Sequence, residues 1–442
     1  MPLPAILDAW PDLVDRRTGI VRELAELRVD DDDPPFVHVL STACTTEAFG
    51  YLPNFGNNGG AGATPYTALA KAIGEAVERY CAAMYDPGDL PLVPYERLGE
   101  PATPPWSFAL YLPEQYAVPG FPWEPFTARS PVAWCRGRSL VTGGPVLVPA
   151  PFVHVPYHYR PEHGDTPIAQ PISTGLACGS SPADATLSAL CEVIERDAFT
   201  LMWQARLSRP RVRPDGTPAE SAVLTDLLDR FAAVHLDVHL VDLGSGVRCP
   251  AIMAVAEGHA ATSPALAFAA AAHPDPVVAA RKSIEELAHT RRFAAQVMDY
   301  LPPVPVDVEG GHPAVDGQRA HLRFYCPQES RAAAEFAWAG ERRVALSEVP
   351  SCRPGPDAPA ADLLAALVTD VAATGSDVIA CDLTTPDVAD VGLSVVRVVV
   401  PGFHPLQMGH ANRCLGGTRL PAAAGVDAWS AARDNPYPHP FP

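Results

Sequence analysis

The sequence has little positive charge, no long apolar run and no basic leader. Acidic side chains outnumber basic ones by 51 to 32 in 442 residues, which gives a net charge of −19. Such a surface argues against nucleic acid and anionic membrane as partners. No apolar stretch reaches transmembrane length, and the N-terminus lacks the basic start of a signal peptide. We therefore expect a cytoplasmic protein.

Common cysteine and nucleotide motifs are missing as well. The ten cysteines are scattered, without a CxxC pair or the Cys/His spacing of a zinc site. Free thiols in a reducing compartment are the expectation. No Gly-Lys-Ser/Thr follows a Gly-rich segment, and no GxGxxG follows a clear strand. A nucleotide that binds here therefore needs a cleft of another kind.

What the sequence does contain is one pattern used three times: a Thr, Ser or Asp, then a Pro, then a Glu ten residues past the Pro. The copies are Thr64-Pro65…Glu75, Ser181-Pro182…Glu192 and Asp275-Pro276…Glu286. Thr, Ser and Asp are good N-caps, and Pro fits the first helical turn because its missing N–H costs nothing there. Each copy therefore predicts a helix that begins at the Pro.

The apolar residues of the three copies fall at matching positions. Each copy has apolar side chains at i, i+3 and i+4, which is the spacing of a helix face that packs on a core. These positions are Ile73, Ala76 and Val77; Leu190, Val193 and Ile194; and Ile284, Leu287 and Ala288. The charged side chains lie away from this stripe.

Two copies continue as the pentapeptide Glu-x-x-Glu-Arg, which pairs carboxylates on one helix. The pairs and their arginines are Glu75, Glu78 and Arg79, and Glu192, Glu195 and Arg196. Mg²⁺ takes carboxylate and phosphate oxygens together, and Arg or Lys neutralises the remaining charge. The pattern therefore indicates a site for a polyanion and its divalent metals. The alternative is a set of ordinary charges on solvated helix faces, but repetition at matched offsets favours the site.

Gly-rich segments precede the first two helices, at residues 56–62 and 173–180. Glycine lets a backbone approach a ligand closely, and a loop that enters a helix N-terminus offers free N–H groups to phosphate. We interpret both segments as loops at the edge of a nucleotide site.

Taken together, these residues resemble the YcaO superfamily. The run from Ser173 to Gly179, with Glu192 to Ala198, is similar to its core signature, and residues 60–79 and 281–289 resemble its first and third ATP motifs. Residues 395–402 and the ending Pro-His-Pro-Phe-Pro are similar to the C-terminal part of the azoline-forming branch. The resemblance runs from about residue 17 to the last residue, with five motifs in the family's order.

The resemblance implies an ATP- and Mg²⁺-dependent cyclodehydratase. In such enzymes a Cys, Ser or Thr of a ribosomally made precursor peptide attacks the preceding backbone carbonyl. ATP phosphorylates the resulting oxygen, and loss of phosphate leaves a thiazoline or an oxazoline. The residues that the resemblance assigns to Mg²⁺ are Glu75, Glu78, Glu192 and Glu195. Those that it assigns to nucleotide or phosphate are Lys71, Arg79, Ser173, Arg196, Lys282 and Glu286. His439 and the Pro442 carboxylate are the groups expected to act in catalysis, on a tail that folds back to the site.

Four positions depart from the family's usual pattern. Lys71 stands where Ser is common, Ala61 where Lys is common, Thr174 where Asn is common and His289 where Gln is common. Every change except that at Ala61 keeps a polar group. We expect an altered nucleotide cradle that still functions.

The fold predicted from helix and strand alternation is α/β, or layered α+β. The resemblance makes it a YcaO-type fold, with repeated helix and sheet units around an ATP cleft. We expect residues 1–40 to form an N-terminal lead-in and residues 41–442 the catalytic domain. That domain includes a C-terminal helix and strand segment at 346–442, with the proline-rich tail at 436–442.

The partners follow from the resemblance. The first forty residues are too few for a leader-peptide-binding domain, so we expect a separate ThiF-like partner that carries it, besides the precursor peptide, and a homodimer. Two other functions stay open: amidine or thioamide formation within the superfamily, and a docking scaffold without turnover. The Pro-His-Pro-Phe-Pro ending argues against the first, and the intact Glu-x-x-Glu-Arg pairs argue against the second.

Overall fold

The computed structural model describes residues 3–50, 52–306 and 312–441. The α-helices of these ranges are α1 (Leu3–Asp8), α2 (Trp10–Leu13), α3 (Pro65–Ala83), α4 (Pro113–Tyr116), α5 (Pro182–Gln204), α6 (Pro218–Ala232), α7 (Pro276–Tyr300), α8 (Gln318–Phe324), α9 (Arg331–Ala334), α10 (Ala360–Ala372), α11 (Pro386–Asp390) and α12 (Arg419–Ala424). None of these described helices combines the length and the apolar content that a membrane crossing requires.

The strands form three separate sheets. The strands are β1 (Val21–Leu27), β2 (Val37–Ala43), β3 (Asn57–Gly62), β4 (Leu92–Pro94), β5 (Pro131–Ser139), β6 (Pro145–Pro149), β7 (Leu176–Gly179), β8 (Arg211–Arg213), β9 (Asp237–Asp242), β10 (Ala251–Glu257), β11 (Leu266–Ala272), β12 (Arg343–Ala345), β13 (Ile379–Asp382) and β14 (Ser394–Val399). The sheet orders are β1-β2-β3, then β4-β5-β13-β14-β7 with β6 beside β5, and β11-β10-β9-β8-β12. Pairing is antiparallel except between β8 and β12. The layered α+β prediction is confirmed.

The three long helices begin where their caps predict. Thr64 and Ser181 each accept a hydrogen bond from the backbone N–H three residues on, at 3.2 Å. Asp275 accepts one from the N–H two residues on, at 2.9 Å. A proline occupies the first turn of each helix. These contacts satisfy N–H groups that the helix itself leaves unpaired, so each start is set by local chemistry.

The Gly-rich segments form strands where loops are predicted. β3 pairs with β2, and β7 pairs with β14. Their glycines allow the following helix to lie directly on the strand: a Cβ at Gly60 would lie 2.3 Å from the Ala68 carbonyl oxygen, and one at Gly179 would lie 2.4 Å from the Ala185 nitrogen. The glycines therefore serve close strand-to-helix packing.

The three strand-and-helix units form a closed ring. Each long helix follows a strand at the end of its sheet's order: β3 before α3, β7 before α5 and β11 before α7. α3 packs on β3 and β7, α5 on β7 and β11, and α7 on β11 and β3. All residues of the predicted apolar stripes are buried. With those faces on the sheets, the charged residues of the three helices are left to meet one another.

Candidate nucleotide and metal site

The first carboxylate of each Glu-x-x-Glu-Arg motif makes the same contact in both units. Glu75 Oε2 accepts a hydrogen bond from the Gly59 N–H, and Glu192 Oε2 accepts one from the Gly175 N–H, both at 3.1 Å. The glycine N–H groups that are expected to face phosphate therefore hold carboxylates. In each unit, a backbone N–H of the segment that precedes the helix therefore orients the carboxylate.

The second carboxylates differ between the units. Glu78 Oε1 accepts a hydrogen bond from the Cys178 N–H at 2.9 Å, which joins α3 to β7 of the next unit. Glu195 is only 7% exposed. Its Oε1 lies 3.2 Å from Arg196 Nε, yet neither atom has a hydrogen-bond partner among the described residues.

The two arginines lie beside the carboxylates of their own helix. Arg79 Nη2 lies 3.4 Å from Glu75 Oε1, and Arg196 Nη2 lies 3.7 Å from Glu192 Oε1. Arg79 Nη1 and Arg196 Nε lack hydrogen-bond partners within the described ranges. A buried donor without a partner is costly. A phosphate group that accepts from these donors would remove that cost, so the donor set fits a nucleotide phosphate.

The third unit contributes a histidine in place of the second carboxylate. His289 Nδ1 lies 3.8 Å from Glu286 Oε1. The same ring reaches the first unit, because a Cβ at Gly59 would lie 2.7 Å from His289 Nε2. Burial lowers the pKa of His289, but the charges of Glu286 and Glu75 outweigh burial, and the net shift is upward. His289, one of the four departures from the family's pattern, therefore lies at the junction of α7 with β3.

The chain has two lysines, Lys71 and Lys282, and they occupy matching positions of the repeat. Lys71 Nζ lies 3.0 Å from Glu285 Oε2, and Arg281 Nη1 lies 3.2 Å from Glu285 Oε1. Lys282 forms no ion pair within 4 Å in the part of the chain that the structure describes. That both lysines hold nucleotide stays a prediction, and the pairing of Lys71 with Glu285 favours Lys282 as the lysine that does so.

Glu285 is a residue that the sequence does not single out. It is almost fully buried and joins α7 to α3 through Lys71. Its counterparts in the other two units are Gly74 and Cys191, so the repeat gives no signal for a carboxylate there.

Burial and like charges shift the pKa values of the second carboxylates upward. Burial is the main cause for Glu78, and Glu75 and Glu192 add to it, which brings the pKa to about 8. Burial raises the pKa of Glu195 to about 7, with Glu192 and Glu286 adding to the rise. In the free protein at neutral pH both groups therefore carry protons for much of the time.

Glu286 shows the opposite shift. Burial acts to raise its pKa, but the facing cations of His289, Lys71 and Arg196 lower it to about 2. Its carboxylate is therefore ionised at neutral pH, and it offers a permanent negative charge at the third side of the cleft.

The carboxylates suit a metal that also binds phosphate. Within residues 3–50, 52–306 and 312–441, no three His, Cys, Asp or Glu side chains lie close enough to hold a metal ion by themselves. Mg²⁺ in nucleotide sites takes one or two carboxylates together with phosphate oxygens and waters. The arrangement of Glu75, Glu78, Glu192 and Glu195 therefore fits an ion that arrives with the nucleotide.

The C-terminal tail returns to α5 beside Arg196. The Phe441 ring stacks on Phe199 with centroids 3.9 Å apart, and the Arg196 guanidinium lies 5.5 Å from the Phe441 centroid. Pro442 lies outside the described residues. The described part of the tail therefore reaches one of the two motif arginines.

His439 lies in the core rather than on the cleft surface. Its Nε2 donates to the Gln407 carbonyl at 2.7 Å, and its ring stacks on His321 at 3.8 Å. Burial lowers the pKa of His439 well below the usual value. The neutral ring holds the tail in place, while its expected part in catalysis stays a prediction.

Two further residues lie at the turn before β7. Ser173 accepts the Leu176 N–H with its carbonyl oxygen. Arg397 of β14 donates from Nη2 to the Ile172 carbonyl at 2.8 Å. Arg397 is absent from the predicted site, although one charge within an otherwise apolar strand is a visible signal.

We predict different effects for the two lysines. Lys282→Ala weakens ATP binding about tenfold, because a charge-assisted contact to phosphate is lost. Lys71→Ala leaves ATP affinity nearly unchanged but lowers the free energy of unfolding by about 1–2 kcal/mol, because Glu285 loses one of its two cations. Calorimetric titration and urea unfolding measure the two quantities. Equal losses of affinity in both variants would contradict this assignment.

A second prediction concerns the protons that are released when Mg²⁺ binds with ATP. Glu78 and Glu195 must ionise to bind a metal, and their raised pKa values leave them partly protonated at neutral pH. Binding of Mg²⁺ with ATP therefore releases protons and becomes tighter as pH rises from about 6 to about 8. Calorimetry in two buffers with different ionisation heats measures the released protons. Glu78→Gln should reduce their number, and proton uptake would show that the sign is wrong.

Comparison with known proteins decides the family. A family model described as YcaO cyclodehydratase, ATP- and Mg²⁺-binding, matches residues 59–404. The chain belongs to the YcaO family. The resemblance drawn from the motifs is thereby confirmed, and so are ATP and Mg²⁺ as the cofactors of this YcaO chain.

Relatives of this YcaO chain include both sequences and solved structures. An uncharacterized protein of Methanothermobacter thermautotrophicus is 32% identical over 236 residues, which cover 52% of the chain and 56% of that protein. A heterocyclase in complex with substrate and cofactor has a TM-score of 0.75 and 22% identity, over 99% of this chain and 57% of that one. The YcaO of Methanopyrus kandleri bound with AMPPCP and Mg²⁺ has a TM-score of 0.65 and 22% identity, over 91% of both chains.

A microcin synthetase McbBCD complex of E. coli with pro-MccB17 bound also shares the fold, with a TM-score of 0.59 and 15% identity over 97% of this chain and 99% of that one. These structural likenesses confirm the predicted YcaO-type fold. The YcaO chain spans only about half the length of the Methanothermobacter protein and of the heterocyclase that it matches.

Proposed function

We propose that this YcaO chain is an ATP-dependent cyclodehydratase. It converts Cys, or Ser and Thr, residues of a ribosomally made precursor peptide to thiazolines and oxazolines. The observation that carries the proposal is the ring of three capped helices, in which charged residues of different repeat copies interact: Glu192 adds to the raised pKa of Glu78, and Glu286 to that of Glu195. The structural likeness to a heterocyclase bound to substrate and cofactor supports it.

The residues divide into metal ligands and phosphate contacts. Glu75, Glu78, Glu192 and Glu195 would hold Mg²⁺. Arg79, Arg196 and Lys282 would neutralise phosphate, with Ser173 and Glu286 at the edges of the nucleotide. ATP, when bound, supplies the phosphoryl group that turns an amide oxygen into a leaving group. Phosphoryl transfer needs mainly positioning and charge neutralisation, and this set of side chains provides both.

The nucleophile belongs to the peptide rather than to the chain. Cys178, which lies in the Gly-rich segment before α5, is buried in β7, and its N–H donates to Glu78. Burial raises the pKa of the Cys178 thiol well above its usual value, which suppresses the reactive thiolate. A Cys, Ser or Thr side chain of the substrate therefore attacks its own preceding carbonyl in the proposed reaction.

The partners belong to the same proposal. We infer that a ThiF-like protein carries the leader-peptide recognition element, that the chain acts as a homodimer, and that the reaction takes place in the cytoplasm. The E. coli complex, which holds several protein chains and a pro-peptide, supports a partner and a peptide substrate. The acidic surface suits a basic patch on a partner.

The test is the intact mass of a Cys-rich precursor peptide after treatment with the chain, its partner, ATP and Mg²⁺. Loss of one water for each modified residue supports cyclodehydration. Mild acid hydrolysis and fragmentation then separate azolines from amidines, which share this mass change. Exchange of oxygen for sulphur would show thioamide formation. ATP binding without any mass change, with the genuine partner and precursor present, would leave the scaffold as the function.

A further inference from the structure

Arg397 is a buried cation that forms no ion pair with a carboxylate of the described residues. It lies on β14, opposite Leu176 of β7, and is 3% exposed. Its guanidinium donates to the Ile172 carbonyl, while Nε and Nη1 have no hydrogen-bond partner among the described residues. By contrast, the buried Arg291 pairs directly with Asp33.

An unpaired buried guanidinium destabilises a fold unless a nearby charge compensates it. The charged groups that face Arg397 are Glu192, which favours its cationic form, and Arg79, which opposes it. Burial lowers the pKa of Arg397 to about 10, so the guanidinium is still charged at neutral pH. The compensating charge is therefore that of Glu192, the first carboxylate of the second motif.

β14 also holds the turn that orients Glu192. Arg397 donates a hydrogen bond to the Ile172 carbonyl of this turn, and the next residue, Val398, donates its N–H to the Gly175 carbonyl at 2.7 Å. Gly175 has a φ of +84°, and a Cβ there would lie 2.3 Å from the Val398 carbonyl oxygen. The turn therefore has no room to shift against β14. The N–H of the same Gly175 is the donor to Glu192 Oε2.

We propose that Arg397 is a positioning residue for Glu192. Its hydrogen bond to Ile172 fixes the turn of residues 172–175, the Gly175 N–H of that turn fixes the carboxylate, and the guanidinium charge attracts the carboxylate from the strand side. The inference rests on the proposed metal site at Glu192 but not on the peptide chemistry.

The test is calorimetric titration of the full chain with ATP and Mg²⁺. Arg397→Met, which keeps the bulk and removes the charge, should bind about tenfold more weakly than wild type. Arg397→Lys should regain most of that loss, because it restores the charge. The matched control is Arg323→Met: Arg323 is also buried and donates to a backbone carbonyl, that of Leu301, at 2.8 Å. This control should lower the melting temperature while leaving ATP affinity unchanged.

A double-mutant cycle separates positioning from general stabilisation. In the Glu192→Gln background, Arg397→Met should weaken ATP binding much less than in wild type. The effect of Arg397 depends on the Glu192 carboxylate, which this background lacks. An equal loss in both backgrounds, or wild-type affinity in Arg397→Met, would overturn the inference. Where Arg397→Met fails to fold, the same cycle uses Arg397→Gln, which removes the charge and keeps a hydrogen-bond donor. Absence of Mg²⁺–ATP binding by the wild-type chain would instead overturn the proposed site itself.

Discussion

We expect Glu192→Gln to lower kcat for the proposed ATP-dependent peptide modification on the order of 10³-fold, because the amide keeps the size of the side chain but removes one charge of the proposed metal site. The hydrogen bond from the Gly175 N–H survives in this variant, since an amide oxygen also accepts. The fold should therefore remain, and the loss should appear in turnover. Phosphate release and intact peptide mass, measured side by side, provide the test.

The matched control for Glu192→Gln is Asp226→Asn. Asp226 also pairs with an arginine four residues on, Arg230 at 3.0 Å, but on α6, outside the ring. This control should retain turnover within a factor of about two, because an exposed helix pair is worth only a few tenths of a kcal/mol. Full turnover by Glu192→Gln would place the metal on other residues.

Phe441→Ala should lower the free energy of unfolding by about 3–5 kcal/mol, the cost of deleting a fully buried aromatic ring. Phe441 is 1% exposed and stacks on Phe199. The variant also removes the ring beneath Arg196, so we expect peptide modification to fall together with stability. Urea unfolding measures the first effect.

Trp106→Ala is the control for the loss of an aromatic ring as such. Trp106 is 72% exposed, so its replacement by Ala should change the free energy of unfolding by less than about 1 kcal/mol. A loss below about 1 kcal/mol for Phe441→Ala as well would mean that the tail is not part of the folded core in solution.

Local chemistry made the helices predictable. The starts of α3, α5 and α7 depend on a cap and a proline that are adjacent in the chain, and their buried faces follow a 3.6-residue period. The apolar pattern also predicts a helix at 361–373 and strands at 378–381 and 395–400, and α10, β13 and β14 lie within one residue of these ranges.

Pairing across long sequence distances explains what the sequence misses. Residues 57–62 and 176–179 look like loops because glycine has a low strand propensity, and only β2 and β14 make them strands. Two side-chain contacts likewise join segments more than 200 residues apart: the ion pair of Lys71 with Glu285 and the hydrogen bond from Arg397 to the Ile172 carbonyl. No local pattern carries that information.

The ring of three similar units has a consequence for the orientation in which a nucleotide binds. Three identical units would surround the cleft with threefold symmetry, and a nucleotide could then enter in three equivalent poses. The third unit breaks this equivalence, since it presents His289 and Thr290 where the others present a second glutamate and an arginine. A bound polyphosphate would therefore meet two sides that each carry two glutamates and an arginine, and a third side that carries Glu286, Lys282 and His289. The divergence of one copy therefore makes the ring asymmetric, although its three units share one architecture.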